Sequence, residues 1–235
     1  MRAALLAFLM STSTALGAVG TVTVVEGPAF RTPKDGNEQT LQQGAAIELD
    51  DTLRTGPDGN LKLTLTDQSV VVLGPDSEMV VERAEFESQE RSKVSLKLLV
   101  GGVWAKVKKA IAGSDSTFEV SAARAVAGVR GTIFRVDATP LIAGTRPPKI
   151  RETVVRVTEG RVAVNAQVKK AAGKPPPKGP RVEVPGPTEV TAEEWEKRFV
   201  ELQAGRQVRI TDTQFQTGKA GTQKDAIDKF LQKHP

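Results

Sequence analysis

Apolar and polar residues alternate along most of the chain, with the period of two that half-buried strands require. Val22 and Val24 alternate with threonines between Gly20 and Glu26, and Gly27-Pro28 ends that run. Thr32 to Asn37 is turn chemistry, rich in Pro, Asp, Gly and Asn. Leu41 to Thr55 follows, broken at Gly44 and at Asp50-Asp51. Asp58, Asp67 and Asp76 then recur every nine residues, each ahead of an apolar run: Leu61 to Leu65, Val70 to Leu73, Met79 to Val81. This spacing predicts strand, Asp-turn, strand, because the Asp carboxylate accepts hydrogen bonds from amides one or two residues on. Calcium-binding β-rolls also repeat aspartates, but with paired glycines at every turn. Only Gly59 and Gly74 stand beside this repeat, so it reads as turns and not as a metal site.

Arg83 to Lys93 predicts a hairpin of charge-paired strands. Leu96, Leu98 and Val100 alternate into Gly101-Gly102, and Val103, Ala105 and Val107 alternate out of it, which predicts another hairpin. Trp104, Lys106 and Lys108 fall on the opposite face of the outgoing strand. Thr117 to Ala122 predicts a strand, and so do both flanks of Arg130-Gly131-Thr132 within Ala125 to Asp137. Ile133 and Phe134 belong on opposite faces there, with Phe134 inward. Thr139 to Lys149, with three prolines, is an exposed connection. Val155 to Val164 predicts a hairpin turning at Glu159-Gly160. The Lys-, Pro- and Gly-rich stretch 171–187 reads as a long inserted loop. Thr191 to Glu194 is a capping-box pattern and predicts a short helix over 191–197, with strands on either side of Ala204-Gly205. Thr211 to Gln223 reads as a polar linker. Lys224 to Lys233 predicts a brief amphipathic helix through Ile227, Phe230 and Leu231, marginal alone and therefore bound to dock or fray. The expectation is one all-β domain over 18–211, a sandwich or β-roll of antiparallel strands and hairpins, followed by a linker and short helix over 212–235.

Residues 1–17 combine Met1-Arg2, the apolar run Ala3 to Met10 and a small-residue site at Ala15-Leu16-Gly17. This is the pattern of a cleavable secretory signal, and the run is far short of the ~20 residues a membrane span needs. The expected location is periplasmic or secreted, with no membrane-spanning part after cleavage. Cysteine is absent, which excludes disulfides, thiolate chemistry and a cysteine lipid anchor. The formal charge of +5 is spread along the chain and names no partner class; nucleic acid is not expected.

The residues Val129, Arg130, Gly131, Thr132 and Phe134, with their spacing to Trp104, closely resemble the signature of the FecR domain, a periplasmic β-module. Val24 to Gly27, Leu53 to Gly59, Val100 to Trp104, Phe118 to Val120 and Thr158 to Val162 fall in the order that family shows, so the resemblance extends from Val22 to about Ile210. In sigma-regulating relatives such a domain follows a cytoplasmic anti-sigma segment and a spanning helix. A signal stands in that place here, so the resemblance implies a freestanding envelope module that acts by contact. Two readings follow: an interaction or sensory module with an envelope protein as partner, or a binder of peptidoglycan or surface polysaccharide. A component of transmembrane signalling to a sigma factor is the third.

Nothing in the sequence assembles a catalytic site, a cofactor site or a metal site. The one histidine, His234, is next to last, there is no Tyr, and Gly128 to Gly131 lacks both the P-loop and the dinucleotide patterns. The acidic pairs Asp50/Asp51, Glu85/Glu87 and Glu193/Glu194 are sequence neighbours, which does not place two carboxylates across a cleft. Trp104 reads as a packing residue. Lys106, Lys108 and Lys109 form either a solvated strand face or an anion or partner face. Arg130 is either a buried lock on the central crossing, satisfied by carbonyls or a carboxylate, or a contact for a partner; fold signatures more often specify packing, which favours the lock. On that reading Arg130→Ala costs ~3–5 kcal/mol, the typical loss when one partner of a buried charge pair is removed. Thermal melting tests this, and unchanged stability with lost partner binding reverses the assignment.

Overall fold

The computed structural model describes residues 17–88, 91–108, 116–129, 131–169, 195–221 and 225–235. Residues 1–16, Lys109, Arg130 and the stretch 171–187, on which the signal, anion-face, motif and loop expectations fall, lie outside them. In chain order the strands are β1 (Gly20–Glu26), β2 (Ala29–Thr32), β3 (Gln39–Thr40), β4 (Ala46–Ile47), β5 (Thr52–Thr55), β6 (Asn60–Leu65), β7 (Val70–Leu73), β8 (Glu78–Ser88) and β9 (Arg91–Lys106). They continue as β10 (Thr117–Ala122), β11 (Ala125–Val129), β12 (Ile133–Pro140), β13 (Ile150–Glu159), β14 (Arg161–Lys169), β15 (Trp195–Gln203), β16 (Arg206–Ile210) and β17 (Phe215–Lys219), and one helix follows, α1 (Ala226–Lys233).

These strands form two facing layers. The first runs β4-β1-β6-β7-β9-β12-β13-β16-β17, antiparallel throughout. The second runs β3-β2-β5-β8-β9-β10-β11-β14-β15, antiparallel except where β9 and β10 run side by side. β9 belongs to both: Lys93 to Leu98 pairs with β10, and Gly101 to Lys106 pairs with β12. One apolar core fills the space between the layers, joining Val22, Leu61 and Val103 of the first to Leu53, Leu96 and Val120 of the second. Phe134 of β12 is fully buried and meets Phe118 of β10 edge to face, ring centroids 6.4 Å apart. Ile133 lies on the other face, as alternation predicts. The all-β expectation holds.

The chain passes between layers at glycine corners: Gly27, Gly56 to Gly59, Gly74, Gly101-Gly102, Gly131, Gly160 and Gly205. This corrects three predicted hairpins. At Gly101-Gly102, Glu159-Gly160 and Ala204-Gly205 the flanking strands do not pair with each other; the chain steps across to the facing sheet. A tight hairpin and a short corner use the same local chemistry, a glycine of positive φ, so only the location of the partner strands tells them apart. The true hairpins sit between the corners, at β2–β3, β6–β7, β8–β9, β10–β11, β12–β13, β14–β15 and β16–β17. Asp67 fixes the β6–β7 hairpin, accepting from the Ser69 amide at 2.9 Å.

Two further expectations change. Residues 195–197 open strand β15 instead of ending a helix, because β15 pairs with β14 along its whole length; 191–194 lie outside the described residues. The supposed linker carries β17, which extends the first layer.

The corner inside β9 shows why glycine is needed. Gly101 has φ +90°, and a Cβ there would stand 2.2 Å from Ser77 Oγ and 2.5 Å from Ser77 Cα. The buried Ser77 hydroxyl accepts from the Gly102 amide at 2.9 Å, so the two chains are tied where they approach. Gly101→Ala is therefore expected to lose more than about 2 kcal/mol, from the left-handed backbone and the forced displacement of Ser77 together. Gly144→Ala, with φ +75° and nothing within 4 Å of the added atom, carries only the first cost. Urea denaturation of both variants measures the difference; equal losses would mean that the close approach to Ser77 contributes nothing.

Candidate functional site

The family-like motif sits at the crossing from β11 to β12. Val129 is buried at the end of β11, Gly131 has φ +62°, and Thr132 is 1% exposed. The Thr132 hydroxyl donates to the Arg161 carbonyl at 2.9 Å, and the Val107 amide donates to the Thr132 carbonyl at 3.0 Å. The next corner stacks against this one: a Cβ on Gly160 would lie 2.9 Å from Thr132 Oγ1. Described this far, the motif is a knot of two corners whose side chains face inward. Arg130 itself lies outside the described residues.

Trp104 faces the other way. It stands on the outer face of the first layer, half-buried, opposite Arg135 of β12. Lys106 and Lys108 are exposed, and the Lys108 ammonium donates to Gln68 Oε1 at 3.3 Å. Lys106 stands across the strand pair from Ile133, directly beside the motif. Lys109 lies outside the described residues.

What the structure assembles on that outer face is a seat for α1. Val24, Val70, Val72 and Trp104 make an apolar strip across β1, β7 and β9, and Ile227, Phe230 and Leu231 of the helix pack onto it. Ile227 fits where side chains are missing: a Cβ on Gly74 would lie 2.5 Å from Ile227 Cγ1, and one on Gly102 would lie 3.1 Å from Ile227 Cδ1. Asp225 caps the helix, accepting from the Ile227 and Asp228 amides in a capping box.

Charged contacts hold both ends of the helix. At the N-terminal end, Arg135 bonds Asp225 at 2.5 Å and Asp137 at 2.6 Å, and Arg156 bonds the other oxygen of Asp137 at 2.7 Å. Burial pushes the Asp137 carboxyl above its ordinary value against the pull of Arg135 and Arg156. Burial is the strongest single influence on Asp225 and opposes its ionisation, but the bond and charge of Arg135 together with the Asp228 and Ile227 amides outweigh it and hold that carboxyl below its ordinary value. At the other end, Lys233 and His234 both contact Glu26 of β1, and the Lys62 ammonium donates to the His234 and Pro235 carbonyls at 2.8 Å. The bond from Lys233, with one from His234, lowers Glu26.

A cleft of about 640 Å³ opens beside the first turn of α1, between the Gly74 and Gly101 corners and the loop at 142–148. Its arginines are engaged: Arg54 with Glu38, Arg135 with Asp137 and Asp225, Arg146 with Glu78. Among the described residues, no cluster of His, Asp or Glu is disposed to hold a metal ion. This arrangement seats a helix.

The sequence reading singled out Trp104 but missed Arg135, Asp137 and Asp225. Arg135 and Asp137 were visible as two polar residues on one face of a strand, at i and i+2. Their partner, ninety residues on, was not.

Residues 51–163 match the family described as FecR protein. The chain is also similar to two crystal structures of a candidate anti-sigma factor from Parabacteroides distasonis, with a TM-score of 0.47 and 20% identity, over 77% of this chain and 64% of that one. It thus spans less than two thirds of the length of that protein. A cell surface anchoring domain is similar over 26% of this chain and 82% of its own, with a TM-score of 0.26 and 31% identity. No curated protein matches the chain.

Both Asp225 and Glu26 have lowered folded-state values, so their contribution to docking is complete above their ordinary values of 3.8 and 4.5 and is lost as pH falls through the folded values. Asp137, being raised, works in the opposite sense: its charged form costs the fold at neutral pH, and acid relieves that cost. Helix release on acidification is the expected outcome, followed by Trp104 emission. Asp225→Asn keeps the cap and loses the charge. It is expected to weaken docking by about 0.5–1 kcal/mol, as for a partly exposed pair, and to flatten the acid dependence. An unaltered titration curve in this variant would exclude the Arg135 pair as its source.

Proposed function

The chain carries a FecR domain over residues 51–163, and from that premise we propose that it is a non-catalytic interaction or sensory module of the bacterial cell envelope, exported by residues 1–17 and acting by contact. The family match is the observation that carries this reading. The matched stretch contains β9 and the β11–β12 crossing, so it includes the strand shared by both layers. One feature supports action by contact: Arg135, Asp137, Arg156 and Asp225 on the outer face are engaged in ion pairs where a helix is seated.

The partner is an envelope protein. In-cell crosslinking in the native envelope, followed by identification of the attached molecule, tests this: a discrete protein adduct is expected. Salt-sensitive retention on peptidoglycan sacculi, without such an adduct, would replace the protein partner with a polymer. Recovery of the chain in the cytoplasmic fraction with residues 1–17 uncleaved would overturn the proposed location.

A further inference from the structure

The turn that joins β12 to β13 carries apolar residues outward. Leu141 is 59% exposed and Ile142 63%, and every residue from 141 to 147 is exposed. The turn is nevertheless well bonded. The Leu141 amide donates to the Lys149 carbonyl at 2.7 Å, and the Thr145 hydroxyl donates to the Ile142 carbonyl at 3.0 Å. Two large aliphatic side chains are thus held largely in water by a backbone of defined shape, and an exposed apolar apex of this kind marks a contact.

The charge around the apex has one sign. Between Asp137 and Glu152 the chain has no acidic residue and three cations, Arg146, Lys149 and Arg151, all exposed. The two bounding acids are spent within the fold, Asp137 on Arg135 and Arg156, and Glu152 on Arg209. Arg146 reaches Glu78 at 3.5 Å with its side chain still 67% exposed. Lys149 and Arg151 pair with no acidic side chain among the described residues.

We propose that this turn is a contact for an anionic phospholipid surface, with Leu141 and Ile142 entering the interface and Arg146, Lys149 and Arg151 lying against the lipid phosphates. An acidic protein is the weaker partner. A stable protein interface covers roughly 800 Å² on each side, and two aliphatic residues at the apex of a turn do not offer that. A bilayer asks only for an apolar point with cations behind it. The contact is reversible by its size: each cation near an anionic surface contributes about fivefold in partitioning, so the turn steadies the chain at a membrane without anchoring it. This contact is additional to the protein partner proposed above, and it uses none of the residues that seat α1.

The chain has no cysteine, so Ile142→Cys creates one attachment point for an environment-sensitive NBD label. Ala204→Cys is the control, exposed toward the other end of β13, where the Gly205 amide meets the Val157 carbonyl. The test uses residues 18–235, which keep every described strand and the helix, and circular dichroism establishes that each variant is folded. The labelled chains are titrated with vesicles of phosphatidylglycerol and phosphatidylcholine, and with vesicles of phosphatidylcholine alone. NBD emission is expected to shift to the blue at position 142 with the anionic vesicles and to stay unchanged at 204. Lys149→Gln with Arg151→Gln is expected to lower the partition coefficient about twenty-fivefold, and salt at about 0.5 M to lower it as well. Sedimentation of the unlabelled chain with the same vesicles is the second measurement, and Leu141→Ser with Ile142→Ser is expected to lose at least about tenfold. No response at 142, an equal response at 204, binding to phosphatidylcholine as tight as to the anionic mixture, or partitioning indifferent to the charge or apex variants would each overturn the proposal. A response at 142 to polyglutamate, with none to vesicles, would make the partner an acidic protein and overturn the membrane.

Discussion

Apolar contact between two sheets stabilises this protein, and the condition for that contact is that the backbone can turn from one sheet to the other in very little space. Several of the crossings bring two stretches of chain into close approach. At Gly101 a side chain would collide with Ser77, and at Gly160 it would collide with Thr132. The two corners at Gly131 and Gly160 are further tied by the Thr132 hydroxyl to the Arg161 carbonyl, so the ends of β11, β12, β13 and β14 are fixed together. Phe118 and Phe134 meet behind this knot because the corners set the layers at the distance where an aromatic pair fills the gap.

The outer face of the first layer follows from the same constraint. Gly74 and Gly102 are both at or next to corners, and the space they leave bare admits Ile227 from outside. The corners thus create an external socket as well as an internal core. Around it the ion pairs are arranged so that the helix has one favourable direction: acid cap toward Arg135, basic end toward Glu26. Both contacts also agree with the helix dipole, which favours an acid at the start and cations at the end. Orientation therefore comes from charge, and adhesion from the apolar strip.

Much of this was legible in the chain. Period-two alternation located most strands, and Thr117–Ala122 came out with the observed bounds. Asp67 was identifiable as a turn residue from its spacing. The inward Phe134 followed from alternation alone. The corners were not legible as corners, since Gly101-Gly102 has the local chemistry of a hairpin and only distant strands decide which way the chain goes. Residues 195–197 showed a helical spacing that pairing with β14 overrode. The seat of α1 was half legible: Ile227, Phe230 and Leu231 announced an apolar stripe, but not the strip of valines and Trp104 that would meet it. Arg135 with Asp225 joins residues ninety positions apart, and no periodicity carries that information.

A strand held in common has a consequence for how the molecule comes apart. β9 contributes hydrogen bonds to both layers, with Lys93–Leu98 in one and Gly101–Lys106 in the other. Neither layer can peel away while its sister persists, because the departing strands would take half of β9 out of register with the remainder. Loss of structure is thus concerted, and a fault introduced at either end of this strand is felt in both sheets at once.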